Sequence, residues 1–446
     1  MERNLTNGSV LKNLVFFSLP YLLSYFLQTL YGMADLFIVG QFSGVESTTA
    51  VSIGSQVMHM LTVMIVGLAM GTTVGIAQAV GANDKKSVSK VIGNTVTLFL
   101  ALSVAFTVIL LALVKPITAI MSTPQEAVSG TIDYLTVCFI GIPFITAYNI
   151  ISSIFRGMGD SKSPMYFIAL ACFVNIVLDY LFIGAFNLGP IGAALGTTIA
   201  QAISVVVSLL VIVGRKSINI KVNDFKLSKD YISKILSVGA PIAFQDGLIQ
   251  IAFILITIIA NRRGLNDSAA VGIVEKIISF LFLVPSSMLS AISALGAQNI
   301  GANKPERAKK TLWYGIMIAV GFGVLVSILI QFTAEPIVSL FTDSDVVAVL
   351  GGQYIRGYIF DCIFAGIHFS FSGYFCASRK SWISFVHNII AIALVRVPGV
   401  YFMSLLFPNT LFPMGLATAT GSLISVIICI IAYSLLSKKD KVSVNG

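Results

Sequence analysis

Hydrophobic residues fill long, regularly spaced segments of this chain, and polar residues are concentrated in the short stretches between them. Each apolar segment reaches the roughly 20 residues that an α-helix needs to cross a bilayer. The twelve segments run approximately over 14–39, 50–80, 88–114, 130–155, 164–186, 191–213, 236–260, 268–298, 311–333, 350–376, 382–404 and 414–436. The pattern therefore predicts an all-α integral membrane protein with twelve transmembrane helices.

The second half of the chain repeats the first at an offset of about 220 residues. AQAVGAN at 77–83 returns as AQNIGAN at 297–303, and Tyr134 maps onto Tyr354. A nearly constant offset along six spans is hard to obtain by chance. Because six is an even number, both halves start from the same side of the membrane and are related as parallel repeats.

This repeat divides the chain into two six-helix lobes. We expect an N-terminal lobe at 1–213, a cytoplasmic linker at 214–234 and a C-terminal lobe at 235–446. Parallel repeats of this size are typical of carriers, in which the substrate passes between lobes that rock to give alternating access. A duplicated scaffold without a transport role is the alternative.

Composition and charge agree with a membrane protein and exclude several other classes. The chain is 57% hydrophobic and 11% charged, whereas soluble domains carry about 25% charged residues. If the N-terminus is cytoplasmic, 22 of the 28 Lys and Arg residues lie on the inner side, so the net charge of +9 reflects topology and not nucleic-acid binding. The five cysteines form no CxxC pair, so neither a disulfide framework nor a zinc site is indicated. We expect no cofactor and no cleavable signal peptide.

Two polar residues interrupt the fifth span, CFVNIVLDYLF at 172–182. Asn175 and Asp179 are separated by four residues and share one face of the helix. A charge at mid-membrane costs roughly 2.5–3.5 kcal/mol, so such groups face the protein interior or a wet cavity. The pair can hold Na⁺ through its oxygens, or the carboxylate can bind a proton. A static interhelical hydrogen bond is the alternative.

Further intramembrane charges break the repeat. Asp179 and Asp35 have apolar or glycine counterparts in the second lobe, at Gly399 and at 255–256. The second lobe has its own intramembrane charged residues, and we expect Glu275, Lys276 and Asp361 to form a charged site there.

We expect at least one structural ion pair within this second-lobe group. Asp361 is a plausible partner for Lys276, and Glu275 for Arg356 or Arg396.

With these residues identified, the chain resembles the multidrug and toxic compound extrusion (MATE) family of cation-coupled antiporters. The resemblance covers all twelve spans, and the order and spacing of the motifs make it specific. Its motifs are MADLFIVG at 33–40, the repeated AQxxGAN turn, FRGMGDSKSPM at 155–165, NIVLDY at 175–180 and GAALGTT at 192–198.

The resemblance implies a V-shaped bundle whose N-terminal lobe encloses a coupling-cation site for H⁺ or Na⁺. The site residues that carry over are Asp35, Asn175, Asp179 and Thr197, with Thr198 ranked below Thr197. Some branches of the family also use acidic residues of the second lobe, which here would be Glu275 and Asp361. Span 7 departs from those branches because Asp246 is its only acidic residue. The implied activity is export of amphiphilic organic cations by antiport.

Other functions predict features that are missing from the sequence. A lipid-linked oligosaccharide flippase would need cationic residues clustered in the cavity. A channel would need a polar stripe or a filter loop, and an intramembrane enzyme would need a motif such as HExxH. We expect a non-enzymatic monomer with both termini in the cytoplasm, located in the inner membrane of a bacterium. Its partners would be organic cations and membrane lipids.

Overall fold

The computed structural model describes residues 4–215 and 220–445, so residues 216–219 of the predicted linker lie outside the described residues. Helices dominate, and no β-strand occurs in the described part of the chain. The helices are α1 (Val10–Phe42), α2 (Val45–Gly81), α3 (Lys85–Ile120), α4 (Val128–Ile140), α5 (Ile142–Gly157), α6 (Lys162–Asp179), α7 (Gly189–Arg215), α8 (Lys229–Asn261), α9 (Leu265–Leu281), α10 (Leu283–Gly301), α11 (Pro305–Ser339), α12 (Asp345–Tyr358), α13 (Asp361–Ala377), α14 (Trp382–Ile390), α15 (Val397–Leu406) and α16 (Phe412–Asn445).

These helices supply the twelve predicted spans. Ten helical stretches in the described residues are individually long and apolar enough to cross a bilayer. Two bent pairs complete the set: Gln125–Ile140 with α5, bent by 48°, and α12 with α13, bent by 41°. The all-α membrane fold is therefore confirmed, with two spans broken near their middle.

The outer faces of the helices are strongly apolar. Leu100 and Val108 on α3 are more than half exposed, as are Met317 and Phe332 on α11. A soluble protein rarely exposes contiguous apolar surface on this scale, whereas lipid is a suitable solvent for it.

Both bends lie at repeat-equivalent positions. Gly141 separates α4 from α5, and Asp361, 220 residues later, begins α13 after the break. The AQxxGAN turns are equivalent as well, because Asn83 and Asn303 both take positive φ angles, of 56° and 55°. Asn adopts this left-handed conformation more readily than most residues and so ends a helix here. The internal repeat read from the sequence is thus present in the backbone.

Two short π-helical segments do not follow the repeat. Tyr180–Ala185 continues directly from α6, and Ala391–Arg396 joins α14 to α15. A buried charged residue lies at each segment: Asp179 directly precedes the first, and Arg396 is the last residue of the second. Such wide turns often occur at functional sites, where they change the direction of a side chain.

The chain packs as two compact units, and each is described by itself. Of the described residues, one unit comprises 4–7, 16–215, 220–243 and 301–303, and the other comprises 8–15, 244–300 and 304–445. The boundary near residue 243 falls inside α8, which begins at Lys229 within the predicted 214–234 linker. Hydropathy assigns this first turn of α8 to the linker because it is rich in charge.

The end of the linker is attached to α3 within the first unit. Asn94 is buried; its Oδ1 accepts a hydrogen bond from the Ser228 backbone N–H at 2.6 Å, and its Nδ2 donates to the Asp224 carbonyl at 3.3 Å. Thr97 Oγ1 donates to the Phe225 carbonyl at 2.8 Å. These bonds satisfy backbone groups of a segment that has little regular structure of its own.

We expect Asn94→Ala to lower the free energy of unfolding by about 1–3 kcal/mol, because it leaves two linker backbone groups without their partner. Thermal unfolding of the detergent-solubilised protein measures this loss. Ser103→Ala is the control, since Ser103 is also buried on α3 but its hydroxyl donates only to the Leu100 carbonyl of the same helix. Equal midpoints for the two variants would show that the linker attachment is not stabilising.

Candidate functional site

An oxygen-rich cluster is buried inside the first unit. Asp35 comes from α1, Asn175 and Asp179 from α6, and Thr197 from α7. Asn175 and Asp179 are fully buried, and Asp35 and Thr197 are nearly so. The four residues that the family resemblance assigns to one site therefore lie together in the structure.

Hydrogen bonds connect the cluster in two pairs. Thr197 Oγ1 donates to Asp35 Oδ2 at 3.2 Å, and Asn175 Nδ2 donates to Asp179 Oδ1 at 3.4 Å. The Asp35 and Asp179 carboxyl groups are also close enough to share a hydrogen bond. Two carboxylates at such range repel each other when both are ionised, and a shared cation or proton removes that repulsion.

Three oxygen atoms of the cluster make no hydrogen bond. Asp35 Oδ1, Asn175 Oδ1 and Asp179 Oδ2 are buried without a partner among the described residues. A buried polar atom without a partner costs about 1–3 kcal/mol, so three in one place call for an explanation. All three are acceptors, which is the arrangement that binds a proton or a hard cation.

Local backbone features bring these side chains together. Asn175 and Asp179 lie one turn apart on α6, so both face α7. Only three residues connect the π-helical segment Tyr180–Ala185 to α7. Asn187 within this connection and Gly189 at the start of α7 take φ angles of 53° and 52°. Left-handed residues make such a tight turn possible, so α7 follows directly alongside α6.

Gly196 is a site residue that the sequence reasoning missed. A methyl group built on its Cα would overlap Asp179 Oδ1 and would lie 3.5 Å from Asn175 Nδ2. The Asp179 carboxylate therefore occupies the space that a side chain at position 196 would fill. The signal was present in GAALGTT, where this glycine directly precedes Thr197.

Tyr31 and Gln201 extend the cluster and were also missed. The Tyr31 side chain lies close to those of Thr197 and Gln201, and Gln201 Oε1 is buried without a partner among the described residues. Tyr31 precedes Asp35 by four residues, and Gln201 follows Thr197 by four. The same spacing that identified Asn175 and Asp179 could have identified both.

The second-lobe group does not form the predicted arrangement. Asp361 is fully buried and pairs with Arg396 from the π-helical segment, whereas Lys276 is exposed. The expected Asp361–Lys276 pair is therefore wrong. Burial explains the choice, because a lysine facing outward on α9 needs no partner, but a buried guanidinium does.

Glu275 and Arg356 also have other partners than those expected. Thr257 Oγ1 donates to Glu275 Oε2 at 3.2 Å, and Arg356 Nη1 pairs with Glu335 at 3.0 Å. Glu275 Oε1 is buried without a hydrogen bond in the described part of the chain. Glu275 is within electrostatic range of Arg396 but is not hydrogen-bonded to it.

Comparison with known proteins shows the family to which the chain belongs. The MatE family matches residues 20–181 and again residues 241–402, which is more than half of the chain. The chain belongs to the MatE family. The two matched segments start about 220 residues apart, as the internal repeat requires.

Curated members of the MatE family are similar over most of their length. The probable multidrug resistance protein YpnP of Bacillus subtilis (strain 168) is 28% identical over 393 residues, which is 88% of each chain. YoeA of the same organism, also named a probable multidrug resistance protein, is 30% identical over 75% of this chain and 74% of its own. Both align with the two lobes rather than with one.

A solved MatE structure has the same fold. A multidrug resistance MATE family transporter in an outward-facing conformation superposes with a TM-score of 0.90 at 25% identity, over 97% of this chain and 98% of its own. The match to the MatE family includes Asp35, Asn175 and Asp179 in its first segment and Asp361 and Arg396 in its second. Thr197 and Gly196 lie beyond the first matched segment.

Proposed function

We propose that this multi-pass membrane protein is an antiporter that couples the inward movement of H⁺ or Na⁺ to the export of amphiphilic organic cations by alternating access. Asp35, Asn175, Asp179 and Thr197 bind the coupling ion. The single observation that carries this proposal is the set of three buried acceptor oxygens without donors in the first unit. The multidrug resistance proteins to which the chain is similar support the choice of exported compounds.

Either coupling ion fits the chemistry of the cluster. A proton on Asp179 would turn its carboxyl into a donor to Asp35 and remove the charge repulsion between them. Na⁺ would instead bind the free oxygens of Asp35, Asn175 and Asp179, with the Thr197 hydroxyl nearby. In both cases one positive charge balances the second carboxylate.

The α1 helix is the element through which ion binding changes the carrier. It carries Asp35 in its last third and Pro20 in its first, and Pro20 lacks the backbone N–H of an ordinary helical residue. Ion binding that draws Asp35 towards α6 shifts or bends α1 near Pro20 and weakens drug binding. Coupling requires that ion and drug favour different conformations, since a ligand that binds two conformations with equal affinity does not shift the equilibrium between them.

The available driving force is sufficient for export. One pH unit supplies about 1.4 kcal/mol per proton, and a membrane potential of 100 mV adds about 2.3 kcal/mol per charge. We further propose that the protein acts as a monomer in the bacterial inner membrane, with both termini cytoplasmic and membrane lipids as its other partners. The excess of basic residues on one side supports this orientation.

Transport by purified protein in liposomes tests the proposal. A permanently charged fluorescent cation is supplied under an imposed H⁺ gradient, an imposed Na⁺ gradient, or neither, with protein-free liposomes as control. We expect one gradient to drive dye movement against its own concentration gradient, and the matching ionophore to stop it. If neither gradient moves the dye, cation-coupled drug antiport is wrong, and a lipid-linked oligosaccharide flippase becomes the function to test next.

A further inference from the structure

The second unit contains a small cavity beside the buried Asp361–Arg396 ion pair. Its volume is about 30 Å³, which is enough for a small ion or a few atoms of a larger molecule. Its polar wall consists of Arg396, His368, Asn388, Ser422 and Ser425. This unfilled space beside a buried guanidinium leaves room for a ligand that the protein itself does not supply.

Arg396 has hydrogen-bond donors left over at this cavity. Its Nη2 donates to Asp361 and to Ser422 Oγ, and its Nε donates to the Thr418 carbonyl at 3.4 Å. Nη1 makes no hydrogen bond with any described residue, although the side chain is more than nine-tenths buried. A guanidinium has five N–H groups, so two charged donors remain available on the residue that lines the cavity.

A second buried group at the cavity is also unpaired. His368 is 4% exposed, and its Nδ1 has no partner among the described residues. Asn388 adds an amide with one proton that is not used within its own helix, whereas the Ser425 hydroxyl already donates to the His387 carbonyl at 3.4 Å. The Arg396 guanidinium and the Asn388 amide therefore both have a proton left to donate to one small ligand.

The charge of the wall selects the kind of ligand. Among the described residues that line the cavity, Arg396 has the only full charge, and no carboxylate is present. Asp361 contacts Arg396 but does not line the cavity. A cation would therefore meet a guanidinium and no acidic ligand, which is unfavourable. An anion would meet a charged donor of suitable geometry.

We propose that this cavity binds one small monovalent anionic group, with Arg396 as its principal ligand. Two sources supply such chemistry: a free anion such as chloride, or the carboxylate of an amphiphilic substrate. The negative charge of Asp361 competes for the same guanidinium and so limits the affinity. The proposal does not depend on the cation site of the first unit.

Anion-dependent stability of the purified, full-length protein tests the site. The thermal unfolding midpoint is measured with increasing choline chloride, choline acetate or choline methanesulfonate at equal ionic strength. Choline avoids any effect of Na⁺ on the first unit, and methanesulfonate, the bulkiest of the three anions, is the reference. We expect chloride and acetate to raise the midpoint relative to methanesulfonate, since a ligand that binds only the folded state stabilises it.

Substitutions assign the effect to Arg396. Asp361→Asn is expected to increase the apparent chloride affinity by about tenfold, because the guanidinium loses its competing carboxylate. Arg396→Gln alone leaves Asp361 buried and unpaired and is expected to fold poorly, so the neutral double variant Arg396→Gln/Asp361→Asn is the decisive one. It should fold and lose the chloride effect, whereas Arg356→Gln, which alters an ion pair elsewhere in the second unit, should keep it.

Competition distinguishes the two sources of the anion. If a fluorescent monocarboxylate amphiphile reduces the chloride effect and its methyl ester does not, the group bound is a substrate carboxylate. If neither competes, the ligand is the free anion. Equal midpoints of the wild-type protein in all three salts, or an unchanged chloride effect in the double variant, would overturn the proposal.

Discussion

Asp179→Asn is expected to abolish ion-driven dye transport while the protein remains folded and still binds the dye. The substitution keeps the shape of the side chain but removes one of the two buried charges and one acceptor oxygen. Losing such a charged ligand weakens ion binding by about ten- to a hundredfold. Stability should not fall, because Asp35 no longer faces a second carboxylate at hydrogen-bonding range.

The measurement compares wild type and Asp179→Asn in the same liposomes, under whichever gradient drives the wild-type protein. Asp133→Asn is the matched control, because Asp133 is an exposed aspartate in the same unit and is not one of the site residues. The control should transport normally. Normal coupled transport by Asp179→Asn would remove the residue from the ion site, whatever the outcome for the antiport proposal itself.

Much of the fold could be predicted from the sequence, since span length and the repeat are one-dimensional properties. Twelve apolar segments of sufficient length leave few alternatives to twelve helices, and a constant offset indicates equivalent halves. The bends were not predictable in the same way. Gly141 and Asp361 lie at equivalent positions, but hydropathy averages over a whole span and does not register a local break.

The side-chain ion pairs of the second lobe could not be predicted from the sequence. Asp361 and Arg396 are 35 residues apart, on different spans, and hydropathy says nothing about how each helix is rotated. Lys276 and Arg396 are both basic residues within predicted spans, yet only Arg396 is buried. Arg396 ends a π-helical segment, and the residues AIALVR have no pattern that predicts one.

Only some residues of the candidate site could be predicted from their own spacing and chemistry. The spacing of Asn175 and Asp179 placed them on one face of a helix, and Asp35 was identified as a charge that breaks the repeat. The assignment of Asp35 to the same site, and Thr197 itself, came from the family resemblance. Tyr31 and Gln201 show that four-residue spacing between polar residues was informative on α1 and α7 as well. Gly196 was missed because its role depends on Asp179, which fills the space that a side chain at position 196 would occupy. That contact is known only from the structure.

Gly196→Ala is expected to reduce coupled transport at least about tenfold without unfolding the protein. The added methyl group overlaps Asp179 Oδ1, which is the end of a side chain and can move, so the backbone need not shift. The displaced carboxylate loses its alignment with Asn175 and Asp35. A ligand misplaced by even 1 Å can cost a binding site most of its affinity, whereas the fold loses little.

Transport and thermal unfolding measured on the same preparation separate these two effects. Gly214→Ala is the matched control, since Gly214 lies on the same helix, α7, with no atom near enough to contact a new methyl group. Gly214→Ala should transport normally, and replacing a helical glycine by alanine should even stabilise it slightly. If Gly196→Ala also transports normally, Asp179 can bind its ion from a shifted position, and the site does not require the geometry seen here. If instead it unfolds, Gly196 serves helix packing. Only a folded variant that has lost coupling makes Gly196 part of the ion site, because packing alone predicts that stability and transport fall together.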